Sequence, residues 1–550
     1  METFVSYIKK LCNAKEGIEI EFKSAKGGFL GSFWESFSAF ANTNGGLIVL
    51  GVKQQGQDFI PDGLDEKTAM SFKKRFWDCA HNKTCVSMPL LVDNDVTDVI
   101  MDDGSHILIF QIPRAHFSQR PIYLTQNPFG NVFKRNHEGD YRCTDEEVRL
   151  MFSDANHSNC PADARILNNF TIENDIDAPS LKAYRNLFDL RQSDHPWSQL
   201  DDKQFLERIG GYRIDTSTAE EGLTFAGMLM FGKSERITDS ECAPWYFVDY
   251  RERMDADPQI RWTDRIIPDG TWEANLFQFF FRVLPRIQQP LPVPFILEGN
   301  GRVDETYAHK SVREALVNSI IHAVWNQKGN LVIERTPTML LFSNPGNMLI
   351  SIESFYKGGQ SECRNPNLQK MFLMMGRGER AGSGAETILK GWRENNWLKP
   401  KIKEMVQPDR VELRLQFEHG EDIKKDSWED GGKDNNNIID NQINTILQDY
   451  VKDAVEDISK DIDKDVMNRI EKWKFDELEQ LLDYCMEPHS ATEIVSEMQT
   501  ADRKNLSRYY LMPLCSLGLI KMTVPDKPTS KNQRYFSTAV YRLLKKKHET

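Results

Sequence analysis

The sequence lacks a Walker-type Gly-x-x-x-x-Gly-Lys-Ser/Thr segment, which argues against a P-loop motor. Its nine cysteines form no Cys-x-x-Cys pair and share no repeated spacing with histidine. That excludes the usual zinc frames and disulfide scaffolds and predicts reduced, mostly buried thiols. No apolar run approaches the roughly 18 residues that a membrane-spanning helix needs. The opening stretch, Met1-Glu-Thr-Phe-Val-Ser-Tyr-Ile-Lys-Lys10, lacks the apolar core of a secretory signal. A cytoplasmic protein with no membrane partner is expected. Positive charge is also short. The formal net charge of −13 argues against a uniformly basic coat for nucleic acid.

What is present suits several globular domains: 550 residues, 40% hydrophobic and 27% charged. The charge is unevenly placed. Residues 421–470 hold 14 acids and 7 bases, a balance of −7, whereas residues 501–550 hold 11 bases and 3 acids, a balance of +8. The basic end can therefore meet a polyanion although the whole chain is acidic.

Periodicity predicts an α/β multidomain (α+β) chain. Residues 17–23 alternate as a strand, and residues 33–42 read as an amphipathic helix that stops at Asn42-Thr-Asn-Gly-Gly46. Leu47-Ile-Val-Leu-Gly-Val52 reads as a buried strand, 107–112 and 131–135 as further strands, and Thr144 as the cap of a closing helix. Leu223-Thr-Phe-Ala-Gly-Met-Leu-Met-Phe-Gly232 is read as a buried strand. Residues 331–335 and 339–343 form an expected hairpin, Asn344-Pro-Gly346 a break, and Arg364-Asn-Pro366 a helix start. Gly431-Gly-Lys-Asp-Asn-Asn-Asn437 is a linker by composition. Apolar residues from Ile443 to Val466 recur at threes and fours, giving a long acidic helix, either an oligomerisation arm or a spacer. Residues 474–540 read as three helices and a hairpin. The expected segments are 1–155, 156–300, 301–418, 419–472 and 473–550.

The richest stretch is Arg313-Glu-Ala-Leu-Val-Asn-Ser-Ile-Ile-His-Ala323. Glu314, Asn318 and His322 are four apart and share one helical face. A buried stripe of that kind needs a partner, and Mg²⁺ with nucleotide phosphates would serve; a polar edge in solvent is the alternative. Downstream come Phe342-Ser-Asn-Pro-Gly346 and Gly376-Arg-Gly-Glu-Arg-Ala-Gly-Ser-Gly384, the latter before a helix. Glycines at a helix start let backbone N–H groups reach phosphate oxygens.

This ordered set resembles the GHKL (histidine-kinase-like) ATPase fold, in the divergent form of RecG-related ATP-binding proteins. The resemblance implies ATP and Mg as cofactors, Glu314 as general base and Asn318 as the magnesium ligand, with His322 on the same face. Asn344 stands where an adenine-binding Asp is usual, and Gly346, Gly382, Ser383 and Gly384 would shape the nucleotide site. Glu16, Glu21, Phe22 and Lys23, with Phe40-Ala-Asn-Thr-Asn-Gly-Gly-Leu-Ile-Val-Leu-Gly-Val52, resemble the Schlafen AlbA-type domain. There the resemblance implies a carboxylate cluster from Glu16 and Glu21 that could cut RNA or DNA. Lys53-Gln54 stands where the third acid is usual, and Asp58 is the nearest substitute. Lys23, Lys26, Lys134 and Arg135 are candidate phosphate contacts. At the C-terminus, Ser490-Ala-Thr-Glu-Ile-Val495 and Asp502-Arg-Lys-Asn-Leu-Ser-Arg-Tyr-Tyr-Leu511 resemble a winged helix-turn-helix. Arg503, Lys504, Asn505, Ser507 and Arg508 would then touch nucleic acid.

The expectation is an ATP-binding, nucleic-acid-binding protein of regulatory or antiphage-defence type, at least dimeric. A metal-dependent Schlafen-like nuclease and a scaffold with a degenerate nucleotide site are the alternatives. The middle segment, with Asp249-Tyr-Arg251, shows no chemistry, and its aromatics read as packing.

Overall fold

The structure is a computed structural model. It describes residues 20–25, 31–56, 58–101, 103–136, 139–157, 161–192, 194–254, 261–292, 297–298, 301–302, 305–359, 362–378, 383–406, 408–417, 475–486, 488–498, 506–516, 519–523, 530 and 533–537. Glu16, Lys26, Gly382, Arg503, Lys504, Asn505 and the acidic helix at 443–466 lie outside the described residues. The chain divides into two compact units, one of residues 1–115, 121–145 and 429–550, the other of 116–120 and 146–428.

The first unit is built on a four-stranded sheet. Its N-terminal part runs β1 (Ile20–Lys23), α1 (Gly31–Asn42), β2 (Gly46–Leu50), β3 (Val52–Gln55), β4 (Asp58–Pro61), α2 (Glu66–Ala80), β5 (Val96–Ile100), β6 (His106–Ile112), β7 (Phe133–Asn136) and β8 (Gly139–Arg142). The sheet order is β1-β2-β6-β5, with β1 and β2 parallel and the other pairs antiparallel. Alternation assigns the two faces. Ile48, Leu50, Leu108, Phe110 and Ile112 join Phe33, Phe37 and Phe40 of α1 and Phe72 and Phe76 of α2 in one core. Leu47, Val49, Ile107 and Ile109 on the other face share a core with Leu478, Leu481, Leu482, Ile494 and Leu514. β2 is thus buried on both sides, which explains its unbroken apolar run. The C-terminal part comprises helices Phe475–Tyr484 and Ala491–Glu497, a π-type turn Ser507–Leu511 leading into helix Met512–Ser516, and antiparallel strands Ile520–Met522 and Tyr535–Ser537. Ser490 and Glu493 cap the second helix reciprocally.

The second unit opens with α3 (Asp145–Ala155), α4 (Ala178–Arg191), α5 (Asp202–Ile209), the short pair β9 (Tyr212–Ile214) and β10 (Glu221–Leu223), and α6 (Phe225–Phe231). Here the strand expected at 223–232 is a helix. Thr224 caps it, Oγ1 accepting from Gly227 N at 3.0 Å, and every residue of the helix is buried. A short apolar run that is enclosed all round carries no period that separates strand from helix; the cap was the readable signal.

There follow β11 (Val248–Glu252), β12 (Asp264–Ile266), α7 (Leu276–Gln288), α8 (Tyr307–Ile321), β13 (Leu331–Arg335), β14 (Met339–Pro345), α9 (Pro366–Met374), α10 (Gly384–Glu394), β15 (Lys401–Met405) and β16 (Arg410–Gln416). They make a six-stranded sheet of order β12-β11-β13-β14-β16-β15, in which only β11 and β13 are parallel. The expected hairpin is β13–β14. Leu331, Ile333, Leu340, Phe342, Leu413 and Leu415 alternate onto one face and join the core that includes α7 and α8. In α8, Leu316, Val317, Ile320 and Ile321 are at most 2% exposed, and each such side chain contributes about 1.5–3 kcal/mol.

Four of the seven described cysteines are buried and all seven are free thiols. Among the described residues no helix is long and apolar enough to cross a membrane.

Candidate functional site

α8 and α10 pack directly on each other. Small residues make this possible: Ser311 Oγ donates to Tyr307 O at 2.9 Å and to Thr387 O at 2.7 Å, and a Cβ on Gly391 would stand 2.0 Å from Ser311 Oγ. The same crossing brings the first residue of α10 onto the acid–amide face of α8. A Cβ on Gly384 would stand 2.5 Å from Glu314 Oε1 and 2.9 Å from Asn318 Nδ2. Glu314 is 5% exposed and Asn318 half-buried, so the stripe lies against α10 and is not a polar edge in solvent.

The electrostatics of this contact are informative. The N-terminus of α10 carries partial positive charge, and Glu314 lies beside its first residue. A phosphate arriving at the same helix end would meet that carboxylate, so it needs a cation between them. One carboxylate and one carboxamide are hard oxygen donors of the kind that hold Mg²⁺ when phosphates and waters complete the shell. The residues present fit that group. Among the described residues no cluster of three or more His, Cys, Asp or Glu could hold a metal without such help.

The other expected members are placed differently. Asn344 is buried in β14, and its Nδ2 donates to Pro345 O at 3.5 Å. Gly346 adopts φ +106, a conformation that favours glycine, and a Cβ there would stand 2.5 Å from Val324 Cγ2. Its N–H donates to Asp409 O at 2.9 Å. Chain reversal and close packing beside the end of α8 account for this glycine. His322 ends α8 with its pKa pushed down to about 4, by burial first and then by Arg364 and His157. Arg364 donates to His322 O at 2.7 Å and holds Asp154 through Nε and Nη2 at 3.0 and 2.9 Å. Arg364, Asp154 and His157 line a pocket together with Trp325 and Asn365. His322 thus shares the helix with Glu314 and Asn318 but faces other neighbours.

In the first unit, Glu21 is held by cations. Its Oε1 pairs with Lys23 Nζ and its Oε2 with Arg135 Nη1, both at 2.9 Å. Arg135 Nη1 also meets Asp140 at 2.9 Å, and Ser36 Oγ donates to Asp140 at 2.7 Å. Asp140 is a member that the sequence reading missed. Lys53, at the usual third-acid position, pairs with Asp62 at 3.0 Å. Asp58 is exposed and sits opposite Gln55 in the β3–β4 hairpin. Lys134 and Arg135 are 4% and 2% exposed, so neither presents its charge to solvent as a phosphate contact requires. Ser507 is half-buried at the start of the C-terminal π-type turn, and Arg508 follows it there.

Comparison with known families gives four matches. Residues 16–144 match "Schlafen, AlbA_2", 149–249 a domain of unknown function, 331–415 "Putative ATP-dependent DNA helicase recG C-terminal", and 476–538 "Filamentation induced by cAMP protein Fic-like, C-terminal domain". No curated protein matches. Among solved structures, the chain is similar to the DIP2311 protein from Corynebacterium diphtheriae, with 14% identity, 94% of this chain and 95% of that chain covered, and a TM-score of 0.36. Each match covers one segment of the chain, and residues 16–144 are similar to the Schlafen AlbA_2 domain.

Proposed function

We propose that this protein binds a magnesium–nucleoside triphosphate, ATP by preference, where α8 meets the N-terminus of α10, and that occupancy governs how its N- and C-terminal segments engage nucleic acid. The observation that carries the reading is the approach of Gly384 to both Glu314 and Asn318. The match of residues 331–415 to a model described as an ATP-dependent helicase C-terminal region supports a nucleotide, and the Schlafen AlbA_2 match supports a nucleic-acid-related role.

In this reading the site is GHKL-like. Asn318 holds the cation, the N–H groups at the start of α10 bind phosphate oxygens, and Glu314 orients and deprotonates an attacking water. When bound, the magnesium ion supplies charge neutralisation between the phosphates and Glu314. Gly382 and Ser383 flank the phosphates. The 473–550 segment acts as a winged helix on DNA or RNA, and nucleotide binding biases at least a dimer. A transcriptional regulator or a defence factor against foreign nucleic acid would use such coupling. The nuclease alternative is weaker, because Glu21 is already neutralised by Lys23 and Arg135. Cleavage of labelled tRNA with Mn²⁺, lost in Glu21→Ala, would revive it.

The test is equilibrium binding of a fluorescent ATP by the full chain, in Mg²⁺ and in EDTA. Asn318→Ala is expected to weaken binding about tenfold or more in Mg²⁺ and little in EDTA. Glu314→Gln should retain binding and lose hydrolysis. Wild-type protein that binds no ATP would end the reading and favour a scaffold.

A further inference from the structure

The sheet of the second unit has one face on its core, and the strand registers assign the residues of the other. Arg265 of β12 lies opposite Arg251 of β11, and Arg251 opposite Glu334 of β13. Asp249 shares that face two residues earlier and is fully buried there. Around it stands a cluster that the sequence reading had left to packing. The guanidinium carbons of Arg251, Arg253, Arg261 and Arg265 lie 5.2, 5.1, 5.4 and 5.9 Å from the centre of the Trp262 ring. Arg253, Arg261 and Arg265 are exposed, and Arg251 and Trp262 half-buried.

Four guanidinium groups around one ring repel each other unless something opposes them. Asp249 opposes two: Arg265 reaches it through Nε and Nη2 at 3.0 Å each, and Arg251 through Nε at 2.8 Å. Among the described residues, Arg253 and Arg261 form no ion pair. Glu334 is the other acid of this face on β11–β13, so among the described residues around Trp262 four arginines stand against two acids. Lys401 and Lys403 are exposed on the same face at the far edge of the sheet, where Arg414 pairs with Glu412 at 2.8 Å. Five strand spacings of about 4.8 Å separate the edges, roughly 24 Å.

We infer that this face is a binding surface for single-stranded nucleic acid, centred on Trp262. Charge complementarity calls for a polyanion. The ring and the arginine planes distinguish a nucleic acid from an acidic peptide, because bases stack on aromatic and guanidinium surfaces while phosphates take the free donors. Arg251 and Arg265, anchored on Asp249, position the ring; Arg253 and Arg261 contact phosphates. A duplex keeps its bases stacked inside and gains only the charge contacts. This surface is separate from the nucleotide site and does not depend on it.

The test is fluorescence anisotropy of the full chain with a labelled single-stranded oligonucleotide and with the duplex of the same sequence, over a range of salt. Arg253→Gln/Arg261→Gln is expected to weaken single-strand binding about tenfold and to reduce the slope of log affinity against log salt by about 1.4, two contacts' worth. Trp262→Leu should lose about fivefold or more on the single strand and little on the duplex. Lys182→Gln/Arg208→Gln, which removes as much charge from exposed positions on α4 and α5, should leave the affinity near wild type. Equal losses in that control, or an unchanged slope in the Arg253/Arg261 variant, would overturn the inference. So would polyglutamate competing as well as the oligonucleotide, which would assign the surface to an acidic peptide.

Discussion

Two glutamates, one in each unit, invite the same reading and sit in opposite surroundings. Glu21 is met at 2.9 Å by both Lys23 and Arg135, within a network of two carboxylates and two cations completed by Asp140. Glu314 is buried against a carboxamide and the first residue of a helix. The first carboxylate has two cations beside it; the second lies against the start of α10. The difference teaches that an acid's chemistry depends on who supplies the opposing charge.

Asp163 shows what a buried carboxylate does without a cation. It is fully buried, and its Oδ2 accepts from Asn367 N at 2.8 Å and Leu368 N at 3.0 Å, at the start of α9. Burial nevertheless pushes its pKa up to about 7, outweighing those two N–H bonds. Helix-end donors alone therefore do not hold a buried charge.

The comparison can be broken first at Arg135. Arg135→Ala leaves Glu21 and Asp140 facing each other without their shared cation, and we expect a loss of about 3–5 kcal/mol by urea denaturation. Glu21→Gln should lose much less; equal losses would mean that the network is not what holds Arg135. Next come the two glycines of α10. Gly384→Ala meets the movable ends of Glu314 and Asn318, so it should lower ATP affinity about tenfold with little change in melting temperature. Gly391→Ala meets Ser311 Oγ and, at 2.6 Å, the backbone oxygen of Tyr307, so it should destabilise the fold by about 1–3 kcal/mol.

Two titrations sharpen the point further. Asp163 has a raised folded pKa, so its contribution to stability is present below 3.8 and is lost as pH rises through about 7. Asp163→Asn should therefore gain in melting temperature relative to wild type as pH rises from 4 to 8. His322 runs the other way: its pKa falls from 6.5 to about 4, so its contribution is present above 6.5 and lost as pH falls through 4. His322→Gln should flatten that acid-side loss. The smallest effect is at Thr224, where Thr224→Ala should cost about 1 kcal/mol by removing the cap of α6; no loss would question the helix there.

Much of the fold is legible in the sequence, for stated reasons. β2, β6 and the β13–β14 hairpin follow from apolar alternation and from turn residues such as Asn42-Thr-Asn-Gly-Gly46. The run at 223–232 misleads because burial on every side erases the period, although Thr224 marks the helix start. In the site, the four-residue spacing of Glu314 and Asn318 is readable. Their meeting with Gly384 is not, because it depends on a helix crossing through Ser311 and Gly391, about 80 residues apart. Charge misleads in the same way: Lys134 and Arg135 look like surface cations until Glu21 and Asp140 are seen to bury Arg135. Of the arginines around Trp262, Arg251 and Arg265 lie on two strands and are set opposite each other by the register, while Arg253 and Arg261 lie between those strands in sequence.

The most direct measurement is calorimetric titration of the full chain with ATP in the presence and absence of Mg²⁺, on wild type and Asn318→Ala. Magnesium-bridged binding predicts an isotherm for wild type that needs Mg²⁺ and is weakened about tenfold or more by Asn318→Ala. Identical isotherms for the two proteins, or binding indifferent to Mg²⁺, would contradict it.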